Sequence, residues 1–240
     1  MSEGFRTTRL RGIEARLVAY DWPWARENAP AIAAHWERRR AARPAMFDGI
    51  VLLSCACTVV NGLCRIDLFE VPYSRFLAYR DGGRFDGRVA NAFAALVPWS
   101  ADGAVLIGEM GAHTANAGQL YFPCGTPDRD DLRGTTVDLA GSAAREFTEE
   151  TGLALPEEAA GNWLLLEGEG QLAFLRPVRF PEAAEILLAK AEAHRRAEAE
   201  PELAALRALR GTADLDPARM PGFVRAYLAE AFGAIPDHGA

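Results

Sequence analysis

The chain has 240 residues, half of them hydrophobic and 25% charged, with a formal net charge of -7. That length allows one large domain, or one domain with a sizeable extension, and the balance is that of a globular protein. An acidic chain lacks the clustered basic face of a nucleic-acid binder, no apolar run nears the roughly 20 residues of a membrane span, and the N-terminus has no apolar secretory core, so a cytoplasmic protein with no nucleic-acid or membrane partner is expected.

In chain order, "IEARLVAYDW" alternates as a first strand, and "WARENAPAIAAHWERRRAA" reads as a helix that starts after Pro30. Its arginine-rich end reads as a solvated helix face. Trp22, Trp24 and Trp36 read as core or interface anchors. "GIVLLSCACTVVNGLCRIDLFEV" is a hairpin turning at Asn61-Gly62, the type I′ signal. Cys55, Cys57, Cys64 and Cys124 form no CxxC pair and read as small buried hydrophobes. "VPYSRFLAYRDGG" is a short helical or irregular connector, and "NAFAALVPWS" and "AVLIGEM" pair through Ala101-Asp102-Gly103. A long polar, glycine-bearing loop fills Gly111 to Asp131, a length that in compact domains is usually functional or disordered.

A helix follows, with Asp138 as N-cap and Gly152 as the left-handed C-cap residue. Glu146, Glu149 and Glu150 fall three and four positions apart, so their carboxylates project side by side and repel. Ala140, Ala144, Phe147 and Thr151 form the stripe expected to pack opposite them. "NWLLLEGEGQLAFLRPVRF" is a further hairpin, turning at Gly168 to Gly170. "PEAAEILLAKAEAHRRAEA" is a helix that stops near Pro201, and "DPARMPGFVRAYLAEAF" a last helix with Asp216 as N-cap and Pro217 at its first position. Alternating strands and helices imply an α/β or α+β sandwich.

A hard divalent cation relieves such a carboxylate trio, because Mg²⁺ prefers oxygen ligands and shares them with substrate phosphates. Arg145, Glu146, Phe147, Glu149, Glu150, Gly152 and Leu153 match, position for position, the second half of the pattern G-x5-E-x7-R-E-U-x-E-E-x-G-U. The stretch resembles the Nudix box. Asp131 and Val137 occupy the positions of the box glycine and first glutamate, and Gly125 in "YFPCGTP" resembles the glycine that ends the family's F-P-G-G strand. Asp138 stands one position late of the missing glutamate.

The resemblance implies an α/β/α sandwich with a mixed sheet over residues 91–240, and residues 1–90 form a strand and helix extension expected to pack on that core, in a chain that could pair as a homodimer. It implies that Glu146, Glu149 and Glu150 bind Mg²⁺ or Mn²⁺, that Arg145 orients one of them, and that Gly125 and Gly152 shape the ends of the box. The implied activity is metal-dependent hydrolysis of a nucleoside diphosphate linked to another group, such as a nucleotide sugar or ADP-ribose, the partner being a small nucleotide. The alternative is a Nudix-fold binding or sensor protein without catalysis. Family members often recruit a glutamate beyond the box as base or extra ligand. Glu202 in "EPEL", on a loop or fresh turn past Pro201, is the candidate, with Glu200 competing.

Overall fold

The computed structural model describes residues 4–44, 46–83, 86–114, 116–156 and 161–233. Its strands are β1 (Arg6–Leu10), β2 (Gly12–Leu17), β3 (Ile50–Val60), β4 (Leu63–Pro72), β5 (Asn91–Trp99), β6 (Val105–Met110), β7 (Leu120–Tyr121), β8 (Leu132–Arg133), β9 (Thr136–Val137), β10 (Trp163–Gly168), β11 (Gln171–Arg179) and β12 (Leu203–Leu209). Its helices are α1 (Pro23–Glu27), α2 (Ala29–Ala42), α3 (Tyr73–Gly82), α4 (Leu139–Thr151), α5 (Ala184–Ala197) and α6 (Gly222–Gly233).

The larger sheet runs β1-β10-β11-β5-β6-β12, with β7 also paired to β6. It is mixed: β11 and β5 run parallel from Gln171↔Asn91 to Arg179↔Trp99, and the other pairs are antiparallel. β5 reads as a near-continuous apolar run because both its faces are covered. Ala92, Ala94 and Leu96 join Phe147 and Leu187 in one core, whereas Phe93, Ala95 and Val97 meet Phe223, Val224 and Leu228 of α6 in another. Helices thus cover both faces, giving an α/β/α sandwich.

The smaller sheet runs β3-β4-β2-β9-β8. Because successive side chains of a strand point to opposite faces, β3 sends Leu52 into the core shared with α4 and Leu53 into a second cluster; its register against β4 shifts further on, between Ser54 and Ala56. In that cluster Trp22, just before α1, packs with Ile32 of α2 and with Phe76 and Tyr79 of α3. The turn at Asn61 and Gly62 has both residues at positive φ, 50° and 76°, as type I′ requires.

Several elements differ from their sequence expectations. The first expected strand spans only Gly12–Leu17, and the polar strand β1 precedes it. Pro30 lies inside the first turn of α2 rather than before it, where its missing N–H costs nothing. The connector after β4 is helical. The long loop holds β7 and a short 3₁₀ turn, Arg129–Asp131. The last helix starts at Gly222, not at Asp216, because Pro221 supplies a second break; Asp216 instead closes a turn by accepting the Ala218 N–H (3.0 Å).

Candidate functional site

α4 is capped as its sequence suggests. Asp138 accepts the Gly141 N–H (2.8 Å), and Gly152 takes φ 67°. Its buried face, however, is Leu139, Ser142, Ala143, Phe147, Glu150 and Thr151, while Ala140 is exposed. Of the expected stripe, Phe147 and Thr151 are buried, Ala144 is partly buried and only Ala140 is exposed; the packed face extends instead to Leu139 and Ala143, and one glutamate faces inward. Glu150 keeps only 9% of its surface exposed, whereas the Glu149 side chain keeps 62%.

Four carboxylates and one thiol converge there. Gly125 lies against Glu146 so closely that a Cβ would sit 3.0 Å from Glu146 Oε2. The neighbouring Cys124 donates its backbone N–H to Glu150, yet Glu150 Oε2 is buried with no partner among the described residues. Burial, then the charges of Glu202 and Glu146, push the Glu150 carboxyl up to about 9. Burial also raises Glu146, against the pull of Arg145. The Cys124 thiol, read from sequence as a plain buried hydrophobe, is pushed well above its usual value by burial and by Glu150, Glu146 and Glu202. Glu202 stands at the mouth of β12, fixed where its carbonyl accepts the Gly111 N–H (2.8 Å). An uncompensated carboxyl beside other carboxylates is costly to bury.

Arg145 holds Glu146 (2.7 Å) and Glu149 (3.2 Å) through Nη1 and reaches Asp131 through Nη2 (3.0 Å). Asp131 is 3% exposed and also accepts the Asp128 N–H (3.1 Å). The chain thus buries a carboxylate for its arginine at the position where the box pattern has glycine. Asp138, expected near the missing glutamate, is occupied as the helix cap, and Val137 is in the core. No local spacing signals the Asp131 pairing, because it spans 14 positions.

His194 of α5 was also unforeseen. Its Nε2 lies 2.9 Å from the Glu149 carbonyl oxygen, and a Cβ on Gly152 would meet its ring at 2.3 Å. The Leu153 N–H, which would otherwise close that helical bond, goes to Thr151 Oγ1 (3.2 Å), so His194 satisfies an end carbonyl of the glutamate turn. Gly152 is thus required twice, for its φ and for the ring. Gly152→Ala should lower Tm by several degrees, more than the roughly 1 kcal/mol of a φ penalty alone explains; a Tm within a degree of wild type in thermal unfolding would contradict this.

Among the described residues, no three His, Cys, Asp or Glu side chains are gathered tightly enough to hold an ion as they stand; Arg145 takes an oxygen from each of two glutamates instead. The orphaned Glu150 oxygen, the all-oxygen donors and the space kept by Gly125 nonetheless fit a hard divalent cation. A cavity of about 770 Å³ lies elsewhere, at the N-terminal end of α4. Of its three arginines, Arg16 and Arg65 are paired with Asp67 (2.6 Å) and Glu14 (2.9 Å), and Arg133 donates to the Asp130 (2.8 Å) and Leu132 (3.0 Å) carbonyls.

No family model matches the chain, and no curated protein does. Among solved structures it is similar to RenU, a Nudix hydrolase from M. smegmatis, with 20% identity over 62% of this chain and 88% of that one and a TM-score of 0.35. It is also similar to the MutT protein from Methanosarcina mazei Go1, with 16% identity over 59% of this chain and 94% of that one and a TM-score of 0.36. No described helix is long and apolar enough to cross a membrane.

Proposed function

We propose that this chain is a Nudix-type pyrophosphohydrolase, which cleaves the diphosphate of a nucleoside diphosphate linked to another group. The observation that carries the reading is the buried, unpartnered Glu150 oxygen among the carboxylates of Glu146, Glu149 and Glu202, a site short of positive charge. Glu146, Glu149 and Glu150 would hold Mg²⁺ or Mn²⁺. Such a cation, when bound, supplies charge neutralisation for the diphosphate and acidifies a water.

The protein's own groups do the rest. Arg145, braced on Asp131, keeps the Glu146 carboxylate aimed at the site by charge-assisted hydrogen bonds. His194 fixes the turn that carries Glu149. Gly125 leaves room for the Glu146 carboxylate. Glu202, close enough to act on Glu150 electrostatically, is the general base that takes the proton of the attacking water, so that water and diphosphate become two phosphomonoesters. The alternative is a sensor without catalysis, which Val137 in place of the first box glutamate favours; the Asp131 carboxylate on Arg145 (3.0 Å) supports the hydrolase reading instead.

The test is a panel of nucleotide sugars, ADP-ribose and nucleoside diphosphates with Mg²⁺, read as phosphate after phosphatase coupling. Glu202→Gln should cut kcat on the best substrate about a hundredfold or more, leave KM nearly unchanged and remove the acidic limb of the pH profile. No turnover of any compound defeats the reading, and wild-type kinetics in the variant returns Glu202 to the solvated surface.

A further inference from the structure

Phe47 is 82% exposed, more than any other large hydrophobic side chain described. It is not adrift: its ring lies on Gly49, where a Cβ would be 3.3 Å away, and it forms one wall of a cavity of about 580 Å³. Tyr73 forms another wall, backed edge-on by Trp36 (6.5 Å) and Phe76 (6.1 Å). The third is the turn Asp128 to Asp130. The volume is in the range of small-molecule pockets, and an aromatic ring held with one face open is what a flat heterocycle stacks on.

Most polar groups in this wall are already engaged. Asp48 accepts the Ser74 N–H (2.7 Å) and hydroxyl (2.9 Å), which fixes the start of α3 beside Tyr73. Arg129 is held by both oxygens of Glu70 (2.7 and 2.9 Å). Asp128 takes the Asp130 N–H (2.8 Å). Among the described residues, nothing donates to the Asp130 carboxylate, so the free acceptor at the cavity calls for an N–H-rich ligand edge.

The same segment joins this cavity to the carboxylates. It touches Glu146 at Gly125, lines the cavity from Asp128 to Asp130, and returns to Arg145 through Asp131. Gly125 and Asp128 are three residues apart, at most ~10 Å along an extended chain, a gap that a ribose and two phosphates bridge. Resting on the nucleotide-directed reading of the site, we propose that this cavity receives the substrate's base, stacked on Phe47 beside Tyr73, and that Asp130 selects bases carrying an exocyclic amine (adenine, guanine, cytosine) over uracil.

The test uses the full chain in EDTA with adenosine, guanosine, cytidine and uridine as probes, followed by ligand-observed NMR, so that neither metal nor phosphate takes part. The amino-bearing nucleosides should bind at least about tenfold more tightly than uridine. Phe47→Ala, harmless to the core because the ring is exposed, should weaken them about tenfold or more, while Phe47→Trp restores binding. Asp130→Ala should erase the preference over uridine. Equal binding of all four nucleosides, or undiminished binding by Phe47→Ala, overturns the proposal. If the nucleosides bind as expected but no diphosphate is hydrolysed with Mg²⁺, the base site stands and the hydrolase reading falls. If hydrolysis proceeds with the same KM in Phe47→Ala as in wild type, the base site falls and the hydrolase reading stands.

Discussion

Glu150→Gln is expected to cut turnover about a hundredfold or more while stabilising the metal-free protein at neutral and alkaline pH. The two effects have one cause. Burial, then the charges of Glu202 and Glu146, push the Glu150 carboxyl up to about 9 in the folded chain, far above its ordinary value of about 4.5. Between those values the folded state holds a proton that the unfolded state has released. The contribution of this group to stability is therefore complete below about pH 4.5, falls as pH rises, and stops falling once pH passes about 9. Glutamine keeps the shape and cannot ionise, so in EDTA the variant's Tm should lack that part of the decline between pH 5 and 9. Added Mg²⁺ should raise wild-type Tm and leave the variant's nearly unchanged, since a cation bound only by the folded state stabilises it. Glu149→Gln makes the contrast, because that side chain is exposed and paired with Arg145: it should lose activity without the gain in stability. Thermal unfolding across pH, with kinetics of both variants, decides it; full activity in both with Mg²⁺ would remove the site assignment.

The parts of this chain legible in its sequence are those written in short-range spacing. Arg145 to Leu153 declares its helix, cap and carboxylates within nine consecutive positions, and Asn61-Gly62 declares its hairpin. The Asp131–Arg145 and His194–Glu149 contacts are set by how the loop and α5 fold back on α4, so no local pattern carries them. β12 carries no strand signal: "LAALRAL" consists of good helix formers, yet it is a strand that pairs along β6, with Leu203 packed over Gly108. Polar "RTTRL" gives no strand signal, and becomes β1 by pairing with β10. The inward turn of Glu150 was hidden for a related reason. The apolar stripe through Phe147 could be continued to Ala140 and Ala144, but the larger side chain of Leu139 draws the packed face to its own side.

A chain beginning at Asn91, with the first 90 residues removed, is expected to aggregate or to melt without cooperativity, and to lose activity. The reason is where those residues pack. β1 pairs along β10 from Arg6↔Glu167 to Leu10↔Trp163, and its removal bares a hydrogen-bonding edge of the large sheet. Leu10, Leu52, Ile66 and Leu68, all at most 1% exposed, belong to the same core as Phe147 and Leu139 of α4. Each fully buried side chain of this kind contributes about 1.5–3 kcal/mol, so the four together contribute about 6–12 kcal/mol, as much as the whole net stability of many domains. The loss is felt at the site as well. β9 pairs with β2 at Thr136↔Arg16, and the Leu52 N–H bonds the Pro127 carbonyl (2.7 Å). Without β2 and β3, the segment from Gly125 to Asp138 loses these backbone partners, and it carries the Asp131 that braces Arg145. Sedimentation and thermal unfolding of the shortened chain are the measurements. A soluble product with one sharp transition and wild-type activity would show instead that residues 91–240 stand alone, and that the carboxylate site needs no support from the first 90.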